Sequence, residues 1–308
     1  RQEATRWMRQ WLYNDSSPVT EPKDIRLFTD AELQVTRTGQ VHNDFPDEAN
    51  VADISLRLAS RLETKRRRFW AGNPAKALAK VRKLIGLPEN LPQPRVERGG
   101  QAQTNWARID KFTLQRTGDM PVPALLFRPP GNTSHALDVV VYADDRGMRS
   151  AAHANGPIRK LVNESTAVFA VDLRGLGETR DQGSNAKYHS HSHRVGNVAT
   201  HIGQPLLGQR VRDLLALVDY LNEVGSERVR SIRVIGVGSA GPVALHAAAL
   251  DARISKVELR NPALNSWVDD VVAQPLHREM VDHVVPGALT WYDLPDLARQ
   301  LGARLRTR

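Results

Sequence analysis

The chain has no cysteine. This excludes disulfides, thiol nucleophiles and thiolate zinc sites, and it leaves the redox compartment undetermined. No apolar run comes near the roughly 20 residues of a membrane span, so no membrane partner is expected. There is no internal repeat and no low-complexity tract. No signal-like segment follows Arg1, and the sequence reads as a piece of something longer. Acids are scarce in one stretch. Between Arg57 and Lys83 stand Arg57, Arg61, Lys65, Arg66, Arg67, Arg68, Lys76, Lys80, Arg82 and Lys83 against Glu63 alone, with Phe69 and Trp70 as the only aromatics. That run, like the net charge of +9, would attract polyanions. No nucleic-acid motif accompanies it, so a solvated helix face is the expected explanation and no nucleic-acid partner is expected.

What is present is centred on Ser231–Leu250. An apolar run (Ile232, Val234, Ile235, Val237) meets a Gly-Ser-Ala-Gly turn and becomes an alanine-rich helix. Strand, tight turn and helix in that order can hold up a nucleophile, here Ser239. Gly238 precedes it, Ala240 follows it and Gly241 stands two residues on. The usual pattern is G-x-S-x-G, and Val237 takes the place of its first glycine. Two other readings compete. Such turns often join strand to helix with no chemistry. Gly236, Gly238 and Gly241 also fit a dinucleotide fingerprint, but Glu258, the acid it would need, falls inside the next strand.

The 308 residues, 41% of them hydrophobic, can bury a core in one large domain or two small ones. Trp7, Trp11 and Leu12 predict a short helix, and Asn14–Lys23 a linker. A strand and turn are expected within Leu27–Val41, and helices over Val51–Leu62 and Asn73–Ile85. Leu87–Arg98, with three prolines, reads as a loop. Composition changes near Arg108, and the chain is expected to divide into a mostly helical extension and linker, 1–100, and an α/β domain, 101–308. Arg108–Arg116 and Val122–Arg128 predict an antiparallel pair. Ala136–Ala143, Ala167–Leu173, Arg230–Val237 and Ile254–Leu259 read as strands, alternating with helices over Ala151–Val162, Gln209–Leu221 and Pro242–Leu250. That alternation predicts a mainly parallel, doubly wound sheet with helices on both faces. Two or three helical pieces are expected after Leu264, with room for one more strand only in the last four or five residues.

Several stretches carry a resemblance: Leu33–Val41 (LQVTRTGQV), Val139–Gly147 (VVVYADDRG), Val171–Thr179 (VDLRGLGET), Leu206–Leu221 (LLGQRVRDLLALVDYL), Gly236–Leu250 (GVGSAGPVALHAAAL) and Val285–Leu297 (VPGALTWYDLPDL). Through them the chain resembles the acetyl xylan esterase-like α/β-hydrolases of the large bacterial kind. The resemblance implies serine ester hydrolysis, often of acetyl groups on polysaccharide, without a cofactor, and it alone points to export. Arg1–Tyr13 is similar to the closing helix of a preceding unit, which implies a neighbouring hydrolase-like domain. In the family an Asp follows the seventh strand and a His the eighth. Those positions are not in this sequence, which reads as C-terminally incomplete.

Ester hydrolysis needs a nucleophile, a base and oxyanion donors. Ser239 is the candidate nucleophile. The N–H groups of Ala240 and Asp145 are the expected donors, and Asp144 and Asp145 need a cation such as Arg146 or Arg174. Asp172 and Arg174 are expected to support the loop, Asp172 as a cap and Arg174 by reaching the loop after the preceding strand. His283 and His277 are candidate bases, weighed against exposed histidines on a helix. Asp293 reads as a helix cap and His246 as a packed side chain. His189, His191 and His193 alternate as zinc ligands on a strand would, but their neighbours read as a loop, and no metal is expected. The competing function is a catalytically silent hydrolase-fold module used for binding or for packing.

Overall fold

The computed structural model describes residues 1–131, 135–180, 191–223, 228–274 and 280–308. The chain forms two compact units, Arg1–Asn50 and Val51–Arg308. In the first unit, α1 (Gln2–Tyr13) exposes Trp7, Trp11 and Leu12 and ends at Asn14 in the left-handed conformation. The expected strand over Leu27–Val41 is absent among the described residues. Thr29 and Glu32 form a capping box that starts a helical turn, α2 (Asp30–Leu33), and α3 (Val41–Asp44) follows.

The second unit opens with α4 (Val51–Gly72) and α5 (Pro74–Leu84), the latter capped by Asn73 accepting from the Lys76 amide. Both helices contact residues near the end of the chain. Trp70 Nε1 donates to the Trp291 carbonyl (2.9 Å) and Arg66 to the Leu289 carbonyl (2.8 Å), while Lys80 lies 4.1 Å over the Trp291 ring. Most of the basic run is solvated, as expected, but Arg66 is buried and pairs with Asp296. The stripe Val51, Ile54 and Leu58 is exposed rather than packed.

Eight strands form one sheet among the described residues: β1 (Arg95–Gln103), β2 (Arg108–Gln115), β3 (Val122–Arg128), β4 (Leu137–Asp144), β5 (Thr166–Val171), β6 (Val229–Val237), β7 (Ile254–Arg260) and β8 (Leu305–Thr307). Their spatial order is β1-β2-β3-β5-β4-β6-β7-β8. The pairs from β1 to β5 are antiparallel, and those from β5 through β4 to β8 are parallel. β1 begins within Leu87–Arg98, the segment read as a loop, and runs on to Gln103. It has few apolar residues and carries a bulge between Arg98 and Gly100, so its edge position left little hydrophobic signal. β8 occupies the last few residues, where alone there was room for it.

The alternation within β4 separates two cores. Val139 and Val141 pack with Ile232, Val234, Val257 and the helices α9 (Leu206–Glu223) and α10 (Ala240–Leu250). Val140 and Tyr142 face the other way, with Ile158, Val168 and Ile235. One helix was expected over Ala151–Val162. Gly156 and Pro157 split the region into α6 (Met148–Ala151) and α7 (Pro157–Leu161). A Cβ at Gly156 would overlap the Ala151 carbonyl, so the chain folds back tightly there. After β5, α8 (His191–His201) precedes α9, and α11 (Ala288–Trp291) and α12 (Leu294–Leu301) precede β8.

Candidate active-site corner

The corner between β6 and α10 turns on Gly238, not on Ser239. Gly238 has φ 57°, and Ser239 stands at φ −63°, ψ −19°, already helical at the mouth of α10. Three backbone bonds fix the corner. Gly238 N–H donates to the Arg260 carbonyl (3.0 Å), and its carbonyl accepts from Gly241 and Ala263 (3.0 Å each). Gly236 is needed because a Cβ there would press on the Ala240 carbonyl. The small-residue pattern therefore runs Gly236-Val237-Gly238-Ser239-Ala240, one residue earlier than the sequence reading placed it.

The amides next to the bend were the expected oxyanion donors. The amide one residue beyond the corner belongs to Ser239, not Ala240. It donates to Asp145 Oδ2 at 2.9 Å. Asp145 follows β4 directly, as expected, but it meets the corner through its carboxylate instead of its N–H. A Cβ on Gly238 would overlap that carboxylate. The space a side chain at the corner would need is thus filled by Asp145.

The neighbouring acid has its own partner. Asp144 accepts from the Arg146 amide (3.0 Å) and from its guanidinium, and Tyr142 Oη donates to it (3.2 Å). Burial opposes its charge, but the bonds from Arg146 win, and its pKa lies below the usual carboxylate value. Asp172 ties two loops together, accepting from the Met148 amide (2.6 Å) and the Glu178 amide (2.8 Å). Burial raises its pKa against these bonds. A Cβ at Gly177, itself at positive φ, would overlap the Asp172 carboxylate. Arg174 does not reach the loop after β4. It turns to Asp213 on α9, to Gln209 (2.8 Å) and to Asp119 in the β2–β3 turn (2.7 Å).

Among the described residues, neither buried histidine bonds the Ser239 hydroxyl. His283 is only 2% exposed, so it is not the surface residue that was the alternative to a base. Burial pushes its pKa down and Arg210 adds to that, while Asp282 and Asp145 oppose. Its Nδ1 has no hydrogen-bond partner among the described residues. Asp282 is held instead by Arg210 at 2.8 Å. Asp293 accepts from the Leu294 amide (2.8 Å) as the cap of α12, and also from Ser266 Oγ and the Trp267 amide (2.8 Å each). His277 and His189 lie outside the described residues, and His191 and His193 fall in α8 rather than on a strand.

His246 is fully buried between the Pro242 carbonyl (2.7 Å from Nδ1) and Tyr292 Oη (3.0 Å from Nε2). The carbonyl only accepts, so Nδ1 carries the proton and Nε2 accepts from Tyr292. Burial pushes its pKa down to about 4 from 6.5. The unfolded chain therefore binds the extra proton first, and stability falls as pH drops between those values. Linkage puts the loss at about 3 kcal/mol. Urea unfolding at pH 7 and at pH 4.5 should show a decrease that His246→Gln reduces.

No family model matches the sequence, and no curated protein matches it. Solved structures do. One is assigned as an acetyl xylan esterase from Bacteroides fragilis NCTC 9343; it shares 14% identity at a TM-score of 0.65, over 89% of this chain and 76% of that one. Acetyl xylan esterase 1 from Thermoanaerobacterium sp. JW/SL YS485 shares 17% at 0.52, over 75% and 76% of the two chains. The glucuronoyl esterase from Solibacter usitatus shares 13% at 0.53, over 78% and 74%. The likeness establishes an α/β-hydrolase fold.

Proposed function

We propose that this chain is a catalytically silent module of the ester-hydrolase fold, serving binding or packing instead of turnover. The observation that carries this is Gly238. It occupies the left-handed corner where a nucleophile would stand, and the Asp145 carboxylate fills the space beside it. That carboxylate also takes the Ser239 amide, which an acyl oxygen would need as its donor. A developing oxyanion there would meet a like charge instead of a free N–H. The three solved structures named above carry esterase names, and this chain shares their fold.

A second reading, ester hydrolysis by Ser239, is favoured by one observation. Ser239 is half-exposed and only one residue beyond the corner. A small or polysaccharide ester would then be the substrate. Fluorophosphonate labelling separates the two, because an activated serine attacks the phosphorus of such probes and expels fluoride, leaving a phosphonylated serine. The silent module is expected to give no adduct on Ser239 by peptide mass spectrometry. An adduct mapped to Ser239 would replace the first reading with the second.

A further inference from the structure

The exposed side of α4 carries a regular row. Val51, Ile54, Leu58, Arg61, Lys65 and Arg68 follow one another at alternating intervals of three and four residues. That is the spacing of a coiled-coil seam, which brings every member onto one narrow line along the helix. All of them are exposed, Val51 at 80%, Ile54 at 56% and Leu58 at 54%. The buried side of α4 runs through Ala59 and Arg66, each one residue, about a quarter turn, past Leu58 and Lys65. α4 packs against α5, α11 and the helical turn Val268–Val272, whereas β8 packs against β7.

The row is divided. Its first half is apolar and its second half is cationic. Arg66 and Arg67 have acids of their own, Asp296 and Glu63, but among the described residues Arg61, Lys65 and Arg68 have none. Apolar side chains held facing water gain free energy when they are covered. Cations in line without partners attract acids at matching spacing. Covering the whole row therefore takes a surface that is apolar at one end and acidic at the other.

We infer that α4 is a docking seam for one helix of a partner polypeptide, a helix whose own seam is apolar over one half and acidic over the other. The row from Val51 to Arg68 is about 26 Å long, enough for a helix pair. α4 is already fixed by the fold, so pairing has only the partner to order. A second copy of this chain is a poor occupant. Paired parallel, Arg61, Lys65 and Arg68 would face themselves. Paired antiparallel, they would face Leu58, Ile54 and Val51 and be buried without acids. A staggered pair overlapping only the apolar halves would be about 10 Å long. Nucleic acid would leave the apolar half idle, and a bilayer would find no apolar member of the row beyond Leu58 to take up. The row lies on a different element from Ser239, so the inference does not depend on whether the corner is silent.

The probes are fluorescein-labelled helices of about three heptads, titrated by anisotropy. Their seam positions carry Leu over one half and Glu over the other, in both chain directions, with Leu/Lys versions for comparison. One of the two Leu/Glu helices should bind, more weakly as salt rises, and the Leu/Lys helices should not. Lys65→Glu with Arg68→Glu should weaken that binding by about tenfold or more and admit a Leu/Lys helix instead. Ile54→Gln with Leu58→Gln should weaken it without removing the salt dependence. Lys76→Glu with Lys83→Glu, exposed cations of α5 outside the row, should change it far less. All these side chains are exposed, so the circular dichroism spectrum and the melting temperature should stay put. Four results would overturn the inference: no binding by either Leu/Glu helix, binding that the α5 pair weakens as much as the α4 pairs do, tighter binding of oligothymidylate or phosphatidylserine vesicles through the same α4 residues, or self-association in sedimentation that Ile54→Gln with Leu58→Gln abolishes.

Discussion

Gly238→Ala is expected to destabilise the chain by about 3 kcal/mol. A non-glycine residue in the left-handed region costs about 1–2 kcal/mol. The new Cβ also displaces the Asp145 carboxylate, and a hydrogen bond to a charged group contributes about 1.5–3 kcal/mol. The two contributions can be separated. In an Asp145→Ala background the collision is gone, and Gly238→Ala should cost only the backbone contribution. Urea unfolding of the four proteins forms a double-mutant cycle, with a coupling of about 1–2 kcal/mol expected between the positions. Additive effects would mean that Asp145 does not occupy the corner.

Arg174→Met should be at least as damaging, at about 3–5 kcal/mol, because it strands a buried acid. Asp213 is almost wholly buried, and it accepts from the Arg174 amide and side chain. Burial raises its pKa, and Arg174 pulls it back. Without the guanidinium the carboxyl rises further and holds its proton in the folded chain. The folded state then binds more protons than the unfolded one above the ordinary carboxylate pKa, so the variant should lose stability as pH rises from 4 to 7. Asp119 keeps a second partner in Arg212 (2.9 Å), so the effect centres on Asp213. Adding Asp213→Leu should recover most of the loss, because a pair removed together costs far less than one partner removed alone.

The parallel sheet was legible because its strands are apolar in continuous runs, as in Val139–Ala143 and Ala167–Val171, and its helices are striped, as in α9. β1 was not, because an exposed edge strand buries almost nothing. The helical start of α2 was hidden because its signal is a capping box of two side chains, Thr29 and Glu32, inside a stretch that also alternates. The corner was half legible. A turn of small residues after β6 was plain, and so was its contact with the loop after β4. Which residue stood at the bend depended on taking Gly236 rather than Val237 as the first small position, and a serine one place later drew the eye. The engagement of Asp145 by its carboxylate had no local signature at all, since Asp145 and Ser239 are 94 positions apart in the chain. Arg174 was singled out as a loop support, but its partners Asp119 and Asp213 lie on other elements and no spacing rule connects them.

Hydrolysis of p-nitrophenyl acetate by the chain and by Ser239→Ala tests the central claim most directly. With a glycine at the bend and a carboxylate on the next amide, both proteins should hydrolyse the ester at the same rate as buffer with an inert protein. Turnover by the parent chain that disappears in Ser239→Ala would contradict it.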